Sequence, residues 1–302
     1  MTEPVLRGAY TDLDELLALR LRPMIAHKRN PPVFNSPSGS RLTKLRGRGI
    51  DFSEVRAYQP GDDVRTIDWR VTARKNKPHT KLFREERERP TLVVVDQTQS
   101  MFFGSQVRLK SVAAAEIAAT AAWQALNHND RVGGVILGND DVAIHKPYRN
   151  VKAIARFLAD LARYNQSLSR SGPSTPTSYM AERLTQVARL AHTNYRIYFI
   201  SDFEPMGTHW RNTLHAMSRH NQVIAVRVFD PLERDLPPSD RYTVSDGLSR
   251  WQFHAGNQRL RSAYHSRFEA HEAEFKQLCG QVAIRYKAIA TNEPVNIAGG
   301  WL

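Results

Sequence analysis

The chain has 302 residues; 43 Lys and Arg against 30 Asp and Glu give a formal net charge of +13 and a pI near 10.1, and apolar residues make up 41%. That length supplies a real hydrophobic core for one large or two small domains. A mean hydropathy of −0.50 with 24% charged residues excludes both a membrane-embedded bundle and a disordered polyelectrolyte.

The longest mostly apolar stretch, Val112 to Leu126, is interrupted by Glu116 and falls short of the roughly 20 residues that a bilayer span requires. The N-terminus carries Glu3, Asp12, Asp14 and Glu15 where a signal peptide needs a basic start and an apolar core. A single cysteine, Cys279, forms no intramolecular disulfide and no cysteine-based zinc cage. These features predict a cytoplasmic protein with no membrane span.

In chain order, Leu13, Leu16, Leu17 and Leu21 lay one apolar stripe along a short helix. Pro31-Pro32 and Ser36–Ser40 are loop chemistry, and strand-like pieces broken by Gly47, Gly49 and Pro60-Gly61 follow. Residues 1–90 therefore read as a small β-rich or irregular module. Much of the charge sits in it: 14 basic and 8 acidic residues lie between Arg41 and Arg89. Acids interleaved with bases suit an internal charged network better than the one-signed stripe that phosphate binding favours.

From Thr91 the pattern alternates. Leu92–Val95 is a buried strand, Val107 to Leu126 an Ala-rich helix, and Val132 to Leu137 a second strand. Gly138–Asp141 is turn chemistry and Val142 to Tyr148 an antiparallel edge partner. Helices at 150–164 and 178–192 flank a Ser, Gly, Pro and Thr-rich loop, Ser167 to Ser178. A strand at Tyr195–Ile200, a helix at Trp210–Arg219 and a strand at Val223–Phe229 continue the rhythm. Tyr242–Val244 and Trp251–Phe253 flank Asp246-Gly247 as a hairpin; a long helix to about Cys279 and a strand at Val282–Ile289 complete the chain. The expected architecture for 91–302 is α/β, a mostly parallel sheet with helices on both faces, whose ligands bind at the carboxyl ends of the strands.

At those ends stand Asp96-Gln97-Thr98-Gln99-Ser100 and Ser201-Asp202-Phe203, and Thr177 closes the Ser/Thr-rich loop before a helix. Together they offer only oxygen atoms, the ligands of a hard divalent ion such as Mg²⁺. Without an ion, Asp96 and Asp202 would simply cap their loops with backbone hydrogen bonds.

Asp96, Thr98, Ser100, Thr177 and Asp202 resemble the metal-ion-dependent adhesion site of von Willebrand factor A domains, usually Asp-x-Ser-x-Ser with a distant Thr and a distant Asp. Thr98 departs from the usual Ser by a methyl. Upstream, Gly47–Phe52, Arg56-Ala57-Tyr58-Gln59-Pro60-Gly61-Asp62-Asp63-Val64-Arg65, Ile67-Asp68-Trp69-Arg70, Thr72-Ala73-Arg74 and Lys81–Glu86 resemble the signature of the bacterial domain-of-unknown-function-58 family, as do Gly104, Asp130–Gly133 and Asp230–Glu233. The resemblance spans about residues 40 to 290. It implies a von Willebrand A-like, Rossmann-type fold in a non-enzymatic interaction adaptor. The implied partner is a MoxR-type AAA+ ATPase or a client protein, in chaperone-like or metal-insertion work. It implies direct ligation of Mg²⁺ by Thr98 and Ser100, direct or water-mediated ligation by Thr177, and water-mediated roles for Asp96 and Asp202. Many relatives carry two membrane spans upstream, which this chain lacks. Within the signature, Arg56, Asp62, Asp63, Arg65, Asp68, Trp69 and Arg74 are candidates for partner docking or for a structural network.

Rival readings are weaker. A haloacid-dehalogenase-type phosphatase needs a second Asp where Thr98 stands; there is no phosphate-binding glycine loop, no dinucleotide fingerprint and no HExxH. A nucleic-acid binder would use Arg41, Lys44, Arg46, Arg48, Arg74, Lys75, Lys77 and Lys81 with Tyr58 and Trp69 for stacking, against Asp51, Glu54, Asp62, Asp63 and Asp68 in the same stretch.

Overall fold

The computed structural model describes residues 6–21, 50–85, 89–169, 177–204, 207–237, 241–245, 250–254 and 256–295. The chain divides into two compact units, one of residues 28–88 and one combining residues 1–27 with 89–302. Its elements are α1 (Leu13–Ala18), β1 (Ile50–Ala57), α2 (Trp69–Lys75), β2 (His79–Glu85), β3 (Thr91–Asp96), α3 (Lys110–Asn127), β4 (Val132–Leu137), β5 (Val142–Tyr148), α4 (Val151–Ser167), α5 (Thr177–Leu190), β6 (Arg196–Ser201), α6 (Thr208–Ser218), β7 (Gln222–Phe229), α7 (Pro231–Arg234), β8 (Arg241–Ser245), β9 (Arg250–His254), α8 (Gln258–Gln281) and β10 (Arg285–Ala290).

The large unit is built on a six-stranded sheet in the order β10-β7-β6-β3-β4-β5, parallel throughout except for β5 at one edge. From β3 the chain steps outward to β4 and β5, then returns to the other side of β3 for β6, β7 and β10. The strand order thus reverses between β3 and β6, where a crevice opens at the carboxyl ends.

Each central strand is buried on both faces, and side-chain alternation sorts its residues into two cores. Val93, Val95, Ile136, Tyr198, Ile200 and Val226 pack under α3, α4 and the N-terminal segment. Leu92, Val94, Val135, Leu137, Phe199 and Ala225 pack on the other face with Leu184 of α5, Trp210 and Leu214 of α6 and Phe275 of α8. Gly104 lets the loop after β3 fold back over the start of α3. A Cβ there would lie 2.3 Å from the Arg108 carbonyl oxygen and 2.8 Å from Leu109 Cα.

The N-terminal helix, expected in the small module, belongs to the large unit instead. Leu6, Leu16 and Leu19 are buried in the α3/α4 core, Trp123 Nε1 donates to the Leu16 carbonyl at 3.1 Å, and the Leu6 N–H donates to Glu116 Oε2 at 3.1 Å. The apolar stripe is shorter than predicted. The α-helix ends at Ala18 and a 3₁₀ turn over Leu19–Leu21 turns Leu19 inward and leaves Leu21 84% exposed.

In the small unit β1 and β2 pair antiparallel from Ile50↔Glu85 to Ala57↔His79, with a register shift between Phe52 and Glu54. The chain between them is organised by turns. Gln59-Pro60-Gly61-Asp62 closes with Asp62 N–H donating to the Gln59 carbonyl at 3.0 Å, and Gly61 has φ +106. Pro at the second position and a positive φ at the third are what a type II turn demands. In the large unit β8 and β9 form the expected antiparallel pair; the Asp246-Gly247 turn lies outside the described residues.

Candidate metal centre

Asp96 is the last residue of β3, and Asp202 directly follows β6, its parallel neighbour. Two adjacent strands therefore deliver two carboxylates to the same crevice. Both are buried, at 1% and 2% exposure, and Thr98 is buried with them, whereas Ser100 opens to solvent.

Asp96 is held by hydroxyls and a backbone amide. Its Oδ1 accepts from the Thr98 N–H at 2.9 Å and from Thr98 Oγ1 at 2.7 Å, and its Oδ2 accepts from Ser201 Oγ at 2.7 Å. Thr98 Oγ1 lies 3.2 Å from Ser100 Oγ. Burial first, then the nearby Asp202 charge, pushes the Asp96 carboxyl up to about 6. No cationic side chain hydrogen-bonds or ion-pairs with Asp96 among the described residues.

Asp202 is treated differently. Its Oδ1 accepts the Glu204 N–H at 3.1 Å, and its Oδ2 receives Lys110 Nζ at 3.0 Å. Lys110 opens α3 and is 2% exposed. Its ammonium also reaches Glu233 Oε1 at 2.7 Å. Burial works against its charge, yet Asp202 and Glu233 overcome this and hold its proton well above the usual lysine range. Glu233 is itself oriented by a capping box at α7, where its Oε2 accepts the Asp230 N–H at 2.8 Å. Asp230 in turn accepts from the Ser105 N–H, the Leu232 N–H and Thr291 Oγ1, which ties the loop after β3 to β7 and to the segment after β10.

The loop's remaining residues brace it. Gln97 Nε2 donates to the Ser111 carbonyl at 2.9 Å, Asn165 Nδ2 donates to Gln97 Oε1 at 3.1 Å, and the Gln99 N–H donates to Asn139 Oδ1 at 2.7 Å. Arg183 of α5 donates to the carbonyls of Gly138 and Asn139 in the β4–β5 turn, the turn whose Asn139 side chain holds the Gln99 N–H. Thr177 is the first residue of α5; its side chain lies outside the described residues.

Asp96, Thr98, Ser100 and Asp202 thus lie together at the ends of β3 and β6, with two hydroxyls and one backbone amide donating to Asp96. Ser201, Lys110 and Glu233 were not singled out as functional from the sequence. Ser201 had a signal in its place at the end of an apolar strand beside Asp202. Lys110 lies 92 and 123 residues from the two carboxylates it joins, and no local pattern marks it; Glu233 stands in the Asp230–Glu233 capping box, which signals a helix start and not a partner for Lys110. The donor set fits a hard cation: two hydroxyl oxygens 3.2 Å apart are close to the ~3.0 Å edge of an octahedron with bonds of about 2.1 Å.

The signature residues of the small unit form a separate set. Arg56 Nη2 bonds Asp62 Oδ1 at 2.7 Å. Asp62 also accepts the Gln59 N–H, Asp63 caps a 3₁₀ turn through the Arg65 N–H, and Asp68 caps α2 through the N–H groups of Arg70 and Val71. Arg65, Trp69 and Arg74 are exposed. Arg41, Lys44, Arg46 and Arg48 lie outside the described residues.

Fold and site together define a doubly wound α/β domain with an oxygen-lined crevice at its switch point. Residues 54–274 match the profile of the family described as "Protein of unknown function DUF58", and the chain belongs to that family. It is 29% identical over 253 residues to an uncharacterized protein of Mycobacterium bovis and equally to one of Mycobacterium tuberculosis, covering 81% of this chain and 74% of each relative. Among solved structures it is similar to BatB from Bacteroides thetaiotaomicron, at 13% identity over 68% of this chain and 91% of that chain, with a TM-score of 0.40. It is likewise similar to an aerotolerance-related membrane protein from Bacteroides fragilis, at 15% identity over 67% and 92%, with a TM-score of 0.41.

Proposed function

We propose that the chain is a non-enzymatic, cytoplasmic interaction adaptor that presents a divalent cation at the β3/β6 switch point, as a metal-ion-dependent adhesion site of a von Willebrand A-like domain does. The observation that carries this reading is the contrast between the two buried carboxylates. Lys110 ion-pairs with Asp202, while Asp96 faces only neutral hydrogen-bond donors and its carboxyl is pushed up by burial and by the Asp202 charge. A cation is what that half of the crevice lacks electrostatically. Thr98 and Ser100 would hold Mg²⁺ directly, Thr177 directly or through water, and Asp96 and Asp202 through water. The bound ion supplies an open coordination position that accepts a carboxylate from a partner protein. Thr98, in place of a second Asp two residues after Asp96, supports binding over phosphatase chemistry.

The partner class follows from the family resemblance, a MoxR-type AAA+ ATPase in chaperone-like or metal-insertion work. The test is capture of the purified ATPase by the full chain in Mg²⁺ and in chelator, with wild type and Asp96→Ala. Capture should fall in chelator and in the variant; capture indifferent to both overturns the cation-mediated reading. Calorimetric titration with Mg²⁺ alone checks the ion separately.

A further inference from the structure

The signature of the small unit divides into two halves that the cation site leaves unused. Its described carboxylates serve internal roles. Asp62 is taken by Arg56 and the Gln59 N–H, Asp63 by the Arg65 N–H, and Asp68 by two α2 amides with Lys81 at 3.5 Å. Apart from Arg56 and Lys81, its described cations are left over. Arg65, Arg70, Arg74, Lys75 and Lys77 are exposed, and the side chains of none of them enter a hydrogen bond or ion pair among the described residues. Beside them stand Trp69 and Val64, 68% and 59% exposed. Only Leu21 is more exposed among the large apolar side chains described.

Nothing in the local fold requires an indole at that place. Asp68 caps α2 whatever follows it, and the helix packs through Val71 and Thr72, which are half-buried, with Thr72 Oγ1 accepting the His79 N–H at 3.0 Å. Exposed Trp and Arg side chains within one short stretch are the residue types that carry most of the energy at protein–protein contacts.

We propose that Val64, Arg65, Trp69, Arg70 and Arg74 form a docking surface for an acidic protein partner, which receives the indole in an apolar pocket rimmed by Asp and Glu. Charge complementarity selects the occupant, because Asp62, Asp63 and Asp68 are engaged within the fold while Arg65, Arg70 and Arg74 are not. A protein fits better than a nucleic acid. The branched Val64 side chain, 59% exposed, offers an apolar surface but no flat face to a base. The surface lies within the small unit and makes no use of Asp96, so its failure and that of the cation site are distinguishable.

The experiment places photoreactive benzoylphenylalanine at position 69 of the full chain in its native host, with a second probe at exposed Tyr148 of the large unit as control. After irradiation, the cross-linked peptides are sequenced by mass spectrometry. The expected adduct at position 69 is a protein segment with Asp and Glu around an apolar residue, absent from the Tyr148 probe. Its yield should drop about tenfold when Arg70→Glu and Arg74→Glu are combined, with an unchanged circular dichroism spectrum, and should be indifferent to Asp96→Ala. An RNA adduct, an adduct to a second copy of this chain, a protein adduct insensitive to the charge reversal, or no adduct overturns the proposal.

Discussion

Two regions of this protein are built on aspartates and treat them in opposite ways. At the β3/β6 switch point Asp96 is buried, and burial together with Asp202 pushes its carboxyl up to about 6. In the small unit the N–H groups of Gln59 and Val71, with Arg56 and Lys81 adding to them, hold the carboxyls of Asp62 and Asp68 below their usual range. Whether a carboxylate calls for a cation therefore depends on how many fixed donors and how much water reach it. The same residue type is a turn cap in one region and a candidate ion ligand in the other.

The largest expected effect that would break this comparison comes from Lys110→Met. It strips Asp202 and Glu233 of their shared ammonium inside a nearly dry crevice, and loss of one partner from a buried pair costs about 3–5 kcal/mol. Urea unfolding followed through the large unit should shift accordingly, with the small unit unaffected. Added Mg²⁺ should restore more stability to the variant than to wild type. A wild-type midpoint for Lys110→Met would show that the ammonium is not needed there.

A smaller effect concerns pH. Because the folded-state value for Asp96 lies above its unfolded value of 3.8, the folded protein binds the proton more tightly. This group's contribution is therefore most favourable below about pH 4, declines as pH rises towards 6, and is constant above that. Thermal melts in chelator between pH 4 and 7 should show the decline in wild type and lose it in Asp96→Asn; equal slopes in the two proteins would contradict the assignment. In the small unit the slope runs the other way, since Asp62 and Asp68 lose stabilisation as pH falls through their depressed values.

The smallest effect sharpens the turn-cap side. Gly61→Ala meets no atom within 4 Å, so its cost of about 1–2 kcal/mol is the price of a Cβ at φ +106 alone. Amide exchange should quicken at Asp62 and Thr66 with no change along β3. Exchange that also quickens along β3 would mean the turn is coupled to the large unit.

The strands of the sheet were legible because each is a run of apolar residues bounded by turn chemistry, information held within four to eight neighbours. The same locality exposed Asp96, Thr98, Ser100 and Asp202, which directly end or follow such runs. Leu13, Leu16 and Leu17 announce a helix with a buried face, but a stripe does not say what covers it, and α1 packs in the large unit and not with residues 28–88. The aspartates of the signature were recognisable as a charged network, yet not as caps, because capping depends on which N–H groups the backbone turns towards them.

By itself the sequence determined the family, the βα alternation and the four oxygen-bearing residues at the strand ends, since all of these are written in short segments. Tertiary structure alone decided that Lys110 serves Asp202 and Glu233 while Asp96 is left to two hydroxyls and a backbone amide, and that Trp69, Arg70 and Arg74 are exposed while Asp62 and Asp68 accept backbone N–H groups. Those outcomes rest on contacts across 92 and 123 residues and on burial, which exist only once the chain has closed on itself.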